Sequence, residues 1–349
     1  MNQYLSDKLR NLSAVAILMV LYIHMFYTEG NSMPSLLAIE RFIGSGICSV
    51  AVPLFYMISG FLFFLKIPAG FRSIGEKIRK RLRTLLVPYL LANILTFLFY
   101  VILNLIALKV TAIDRVVNFK VLDVVLNDGF WPTLELIFIN PPIAFQLWFI
   151  RDLLVVIIFS PLLWLILKSI SATGISRSIF ILALLGIFIL YGSNGYCAAF
   201  IWFSAGGMIA LSDININLKT KNMLILIIGL ALYAGLSGVL SHDAETVYLC
   251  RYIPLIGIPV LWYGYDLTYR YFQSKYIHEA VKYTFFVYLI HEPLLNIFKK
   301  LPLLVNRSEA MLIGCYILIP IIFYMCACLF GTFIRKSFPK AYTLYTGGR

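Results

Sequence analysis

The stretch "LRNLSAVAILMVLYIHMFY" at residues 9–27 decides the reading of the chain. It is an almost unbroken run of Leu, Val, Ile, Met and Ala. Its length matches the ~20 residues that a helix needs to cross a bilayer. An arginine, Arg10, stands at its start and a histidine, His24, near its far end. A titratable ring in hydrocarbon is costly, and ionisable groups inside spans are functional by default.

Outward from this stretch, similar apolar runs recur along all 349 residues, of which 61% are hydrophobic and only 13% charged. The mean hydropathy is +0.89. A soluble domain needs more polar surface than this, so the predicted fold class is an all-α integral membrane protein, a polytopic bundle of about ten transmembrane helices. The helices are expected at 11–28, 43–66, 85–108, 146–168, 177–193, 196–212, 222–240, 252–270, 283–299 and 310–335. A single transmembrane domain over 1–349 is expected, with no appended soluble domain. "TEGNSMPSLL" after the first run lacks a small-x-small cleavage site, so that run reads as a retained helix rather than a signal peptide. The six cysteines show no metal-ligand spacing and read as small buried residues, with a Cys197–Cys250 pairing left open.

Twenty of the 29 Lys and Arg residues fall at the N-terminus, the even connections and the C-terminus, and eight fall in the odd connections. The positive-inside rule therefore puts both termini in the cytoplasm. The net charge of +13 is mostly this asymmetry, and no nucleic-acid partner is expected. The longest outer connection, about 109–145, contains "VLDVVLNDGFWPTLELIFINPP" at 121–142, which is too polar to span and too apolar for free coil. It is expected to lie in the membrane interface.

Arg10 and His24 are 14 positions apart, which puts them near one helix face and about 21 Å apart along the axis. That suits a long ligand with an anionic head at one end and a reactive group at the other; a snorkelling anchor and a structural histidine are the separate alternatives. "KIRKRLRTLLVPY" (77–89) offers Arg79, Arg81 and Arg83 to phosphates or simply to anionic lipid. "FYMISGFLFF" (55–64) places Ser59-Gly60 in a helix, where small residues permit close packing. "FQLWFIRDLLVVIIFSPLLW" (145–164) carries Trp148, a belt anchor or a sugar-stacking surface. Arg151 and Asp152 there point about 100° apart on a helix, so each is expected to need a partner elsewhere. "FFVYLIHEPLLNIF" (285–298) holds His291, Glu292 and Pro293 in mid-helix; the proline frees a carbonyl one turn earlier, and the pair suggests a polar cavity shared with His24.

Taken in order, "LRNLSAVAILMVLYIH", "FYMISGFLFF", "RKRLRTLLVPYLL", "QLWFIRDLLVVIIFSPLLW" and "FFVYLIHEPLL" resemble membrane acyltransferase family 3, whose members acylate sugars of cell-envelope glycans. The resemblance implies a catalytic role for His24 and a part in activity for Arg10, Arg79, Arg81 and Arg83. Two positions depart from it. Thirteen residues separate Arg10 from His24, more than is usual in the family, and Ser13 stands where its arginine falls. Gln146 stands where the family often has histidine before Leu-Trp-Phe.

The expectation is an O-acyltransferase of the cell membrane that holds no metal and no resident cofactor. Acyl-CoA is its co-substrate, acetyl-CoA by resemblance, with its phosphates on Arg10, Arg79, Arg81 and Arg83 and its thioester at His24. Trp148, Arg151, His291 and Glu292 would line the acceptor side. Its partners would be membrane lipids and a glycan or lipid-linked sugar. A transporter of a glycan precursor or small anion is the alternative class.

Overall fold

A computed structural model describes residues 2–28, 33–65, 71–108, 121–139, 141–171, 173–192, 194–212, 223–305 and 307–348. Every regular element among them is helical. The first third of the long connection (109–120) and the cations Lys66, Lys219, Lys221 and Arg349 lie outside the described residues.

The first helix, α1 (Gln3–Ile23), begins eight residues earlier than its hydropathy suggests, because Asn2 caps it by accepting the Leu5 amide at 2.8 Å. It stops at Ile23, and His24 is its C-cap, with its own amide still bonded to the Val20 carbonyl. Leu5, Leu9, Leu12, Ala16 and Val20 recur at three- and four-residue spacing and form its buried stripe. Beyond His24 the chain is pinned by Glu40, a fully buried carboxylate that accepts the amides of Tyr27 (2.7 Å) and Thr28 (3.3 Å).

The second helical segment, α2 (Pro34–Phe64), contains a π-helical stretch at Arg41–Gly46 and a 3-10 turn at Ile47–Val50. Next come α3 (Phe71–Ala107), the short α4 (Val121–Asn127) and α5 (Phe130–Phe138) of the long connection, and α6 (Trp148–Ile158) with α7 (Ser160–Ser171). The chain continues through α8 (Gly174–Tyr191), α9 (Gly195–Leu211), α10 (Met223–His242), α11 (Pro254–Thr268) and α12 (Lys275–Ala280). It closes with α13 (Thr284–Lys300), α14 (Glu309–Ser337) and α15 (Pro339–Thr346).

Five of these helices are long and apolar enough to cross a membrane, and the α6–α7 pair makes a sixth if its two halves form one span. The remaining expected spans are helices that fall short of that standard. The α1 helix carries Asp7, Lys8 and Arg10 in its first turns, α9 and α13 have 17 residues each, and α11 has 15. The expected span at 146–168 is bent by 65°. Pro161 accounts for the break: it has no N–H for the Ile157 carbonyl, which accepts the Ser160 hydroxyl at 2.6 Å instead. The six cysteines are free thiols, so Cys197 and Cys250 are not paired.

The α1 helix lies at the centre, against α2, α11, α13 and α14. The tightest crossing is α2 on α9. A Cβ on Gly60 would stand 2.0 Å from the Phe203 carbonyl oxygen, and one on Gly206 would stand 1.9 Å from that of Met57. Two backbones in van der Waals contact are how apolar helices associate where lipid supplies no hydrophobic drive. At the other end of α1, Lys8 and Asp266 form an ion pair at 2.7 Å with side chains 1% and 2% exposed, and the Lys8 ammonium sits 4.2 Å from the centre of the Trp262 ring. This pair joins α1 to α11.

Candidate active site

Two cavities lie toward opposite ends of α1. The first, of about 730 Å³, is bordered by Arg10, Ser13, Arg81, Lys282, Arg335 and Tyr288 among others. A basic groove bordered by Arg83, Lys340 and Gly348 adjoins it through Pro339, Thr343 and Gly348. Arg79 is exposed and borders neither. Of the four cations on the first cavity, Arg10 lies 3.7 Å from Asp7, and Lys282 pairs with Glu279 at 2.5 Å. The Lys282 ammonium holds the exposed Glu279 carboxyl below its ordinary range. Arg81 and Arg335 form no close ion pair among the described residues, and Arg335 adds its charge to that of Lys282 on Glu279. A cavity bordered by three guanidinium groups and, among the described residues, no carboxylate is suited to an anion, and to phosphate above all.

The second cavity, of about 400 Å³, is bordered by His24, Thr96, Tyr100, Phe145, Gln146, Glu292 and Asn296. His24 Nδ1 lies 3.9 Å from Glu292 Oε1. The His24 ring meets Phe145 edge-on at 5.7 Å between centroids and stands 5.2 Å from the ring of His291. Glu292 is held from its other oxygen, which accepts from Asn296 Nδ2 at 2.5 Å. The His291 ring is fully buried with Nδ1 2.7 Å from the Tyr288 carbonyl. A carbonyl can only accept, so Nδ1 carries the proton and Nε2 carries the lone pair.

Local sequence builds this wall. Pro293 breaks α13, and Glu292 before it is extended (φ −104°, ψ 131°), as residues preceding proline prefer. Pro293 also cannot serve the Leu289 carbonyl four residues back. Gln146 replaces it, donating Nε2–H to the carbonyls of Leu289 (3.3 Å) and Glu292 (3.0 Å). The Tyr288 hydroxyl returns a bond to the Gln146 carbonyl at 2.7 Å. The segment before Gln146 is anchored by buried Asn93 of α3, whose Oδ1 accepts the Ala144 amide at 3.1 Å. Tyr288 borders the first cavity and Gln146 the second, so this cross-link joins their walls.

A family model described as an acyltransferase domain matches residues 8–334. The chain belongs to acyltransferase family 3. As a member of the family it is a membrane-bound acyltransferase, and the match covers the residues bordering the second cavity and all of α1 beyond Asp7, while the first cavity extends past it to Arg335 and α15. No curated protein and no solved structure gives a significant match.

Of the residues expected at the acyltransferase site, His24, His291 and Glu292 come together. Arg10 and Arg81 share the first cavity, Arg83 borders the adjoining groove, and Arg79 stands apart. Trp148 and Arg151 border neither cavity. Trp148 packs at the start of α9, near Gly195. Arg151 and Asp152, expected to need separate partners, pair with each other at 2.9 Å. The guanidinium is long enough to fold back across the 100° between them. It also donates to the Ile139 carbonyl at 2.6 Å and lies 5.1 Å from the Tyr196 ring. Lys282, Arg335, Tyr288, Asn296, Thr96 and Tyr100 carry no catalytic signal in the sequence; the first two are readable there only as topology charges.

Proposed function

We propose that this acyltransferase takes its acyl group, acetyl in the first instance, from acyl-CoA in the cytoplasm and passes it to a hydroxyl of a surface-polysaccharide or lipid-linked sugar. On this reading the chain crosses the cell membrane ten times with both termini in the cytoplasm. The observation that carries it is His24, 3.9 Å from a carboxylate in a polar cavity, on a helix whose other end borders a cavity walled with arginines. CoA phosphates would sit on Arg10, Arg81 and Arg335, with Arg83 in the adjoining groove. Arg79 would act only through its field. The pantetheine arm would follow the α1 face past Ser13, whose small side chain leaves room there.

With its Nδ1–H turned to Glu292, His24 presents an Nε2 lone pair. The acceptor hydroxyl attacks the thioester carbonyl as its proton passes to Nε2. The C–S bond then breaks, and the leaving thiolate takes that proton back. Glu292 supplies the charge that stabilises the imidazolium between the two transfers. A 3.9 Å separation is long for a hydrogen bond, and such contacts tighten when substrate binds. Thr96, Tyr100, Gln146 and Asn296 surround the acceptor; Trp148 and Arg151, which border neither cavity, take no part in this reading. Family membership favours transfer over the transporter alternative. The test is purified protein with labelled acetyl-CoA, with and without envelope lipids. CoA release coupled to labelled glycolipid supports the reading; intact thioester after prolonged incubation with those lipids overturns it.

A further inference from the structure

The orientation of the Gln146 amide is fixed by its neighbours. Both groups that it meets at hydrogen-bond distance, the carbonyls of Leu289 and Glu292, can only accept. The nitrogen must face them, and the oxygen must face away. Gln146 is 2% exposed, its Oε1 has no hydrogen-bond partner among the described residues, and the side chain borders the His24 cavity. A buried acceptor left without a donor is unfavourable, and native structures rarely keep one unless something else fills the place. The two ionisable groups of α13 at this break add no donor to it. Glu292 Oε2 already takes Asn296 Nδ2, and His291 Nδ1–H is spent on the Tyr288 carbonyl.

We propose that Gln146 Oε1 reads a hydroxyl of the acceptor sugar next to the one that is acylated. The acceptor class is therefore a vicinal diol rather than an isolated alcohol. This rests on the sugar-acceptor reading above. The same side chain has two separate duties: Nε2 positions the broken helix that carries Glu292, and Oε1 selects the acceptor. A histidine at this position has one ring N–H for the two carbonyls and no amide oxygen, so the departure from the family's usual residue changes what the wall can recognise.

The test uses the full chain with labelled acetyl-CoA and methyl glycosides of glucose, galactose and mannose, each beside its monodeoxy forms. In the wild-type protein the deoxy form lacking the neighbouring hydroxyl should lose at least about tenfold in kcat/KM, because the amide oxygen is then left unpaired. In Gln146→Met and Gln146→His that ratio should fall toward one. The ratio is formed within one preparation, so a variant that is only partly folded does not disturb it. A lower kcat shared by all acceptors reports the lost support of α13 and is expected in Gln146→Met in addition. If both variants keep the wild-type ratio, Oε1 does not read that hydroxyl and the proposal falls. If the ratio is kept while KM for acetyl-CoA rises, the donor that meets Oε1 is a pantetheine amide, which also overturns it. If wild-type protein labels neither glycosides nor envelope lipids, the sugar-acceptor reading fails first and takes this inference with it.

Discussion

At the level of single residues, His24 and Glu292 on the second cavity and His291 buried beside them were all legible in the sequence. Each interrupts an otherwise apolar run, and hydrocarbon makes such interruptions conspicuous. His24→Ala and His24→Gln should both bind CoA normally and lose transfer by ~10²–10⁴-fold, the usual worth of a general base. Gln keeps hydrogen bonding without basicity, so full activity in His24→Gln would make the ring structural. A labelled acetyl group trapped on the wild-type protein would point instead to an acyl-histidine route. Transfer should fall as pH drops through the titration of His24, since a protonated ring can neither take a proton nor attack, and Glu292→Gln should slow transfer with CoA affinity intact. Gln146 was less legible. It is uncharged, and its importance follows from Pro293, which lies 147 positions later and orphans a carbonyl that only the fold reveals Gln146 to serve. Arg151 and Asp152 were misread because a helical-wheel angle describes Cβ directions and ignores how far a guanidinium reaches.

Among the elements, helix existence could be read almost throughout, while helix ends and breaks required side-chain capping. The asparagine before α1 and the serine before Pro161 set a start and a bend that hydropathy does not register. Packing was partly legible: Ser59-Gly60 was readable as a close-contact site, but its partner on α9 was not. Gly60→Ala and Gly206→Ala should each destabilise the detergent-solubilised protein by on the order of 1–3 kcal/mol, because the added methyl meets backbone rather than a movable side chain. Gly186→Ala in α8, where a Cβ would meet nothing within 4 Å, should be neutral or slightly stabilising. Thermal unfolding of the three variants checks this; equal melting temperatures would mean that the α2–α9 crossing is looser than described. The ion pair between α1 and α11 makes a second case. Lys8→Met removes the counter-charge of Asp266, leaving it the Tyr4 hydroxyl, and should cost about 3 kcal/mol, the low end for a buried pair broken on one side. Asp266 lies in a helix expected from its apolar run alone, and neither half of the pair identified the other in the sequence.

For the whole molecule, charge placement links the expected topology to the proposed reaction, since cations counted under the positive-inside rule also wall the first cavity. Arg335 illustrates it: counted along the chain it is one more positive charge near the end of α14, but in space it joins Arg10 and Arg81 on one cavity. Sequence order cannot show this, because the three come from α1, α3 and α14. Arg81→Gln combined with Arg335→Gln should therefore raise the Kd for CoA at least about tenfold, measured by calorimetry on the solubilised protein, whereas Arg79→Gln should change it little. Raising ionic strength should weaken wild-type binding in the same direction. An equal effect of Arg79→Gln would mean that the basic run acts as a diffuse field. The orientation follows from the same charges and can be checked apart from activity. Ser274, exposed between α11 and α12, lies on the Lys282 side of the bundle, and Val305, exposed between α13 and α14, lies at the other end of α13. In a cysteine-free background, Ser274→Cys should resist a membrane-impermeant thiol reagent in intact cells and react once the cells are opened. Val305→Cys should react in both. The reverse pattern would put the arginine-walled cavity outside the cell, away from any cytosolic acyl-CoA. The proposed direction of transfer would then fail even if His24 proved catalytic.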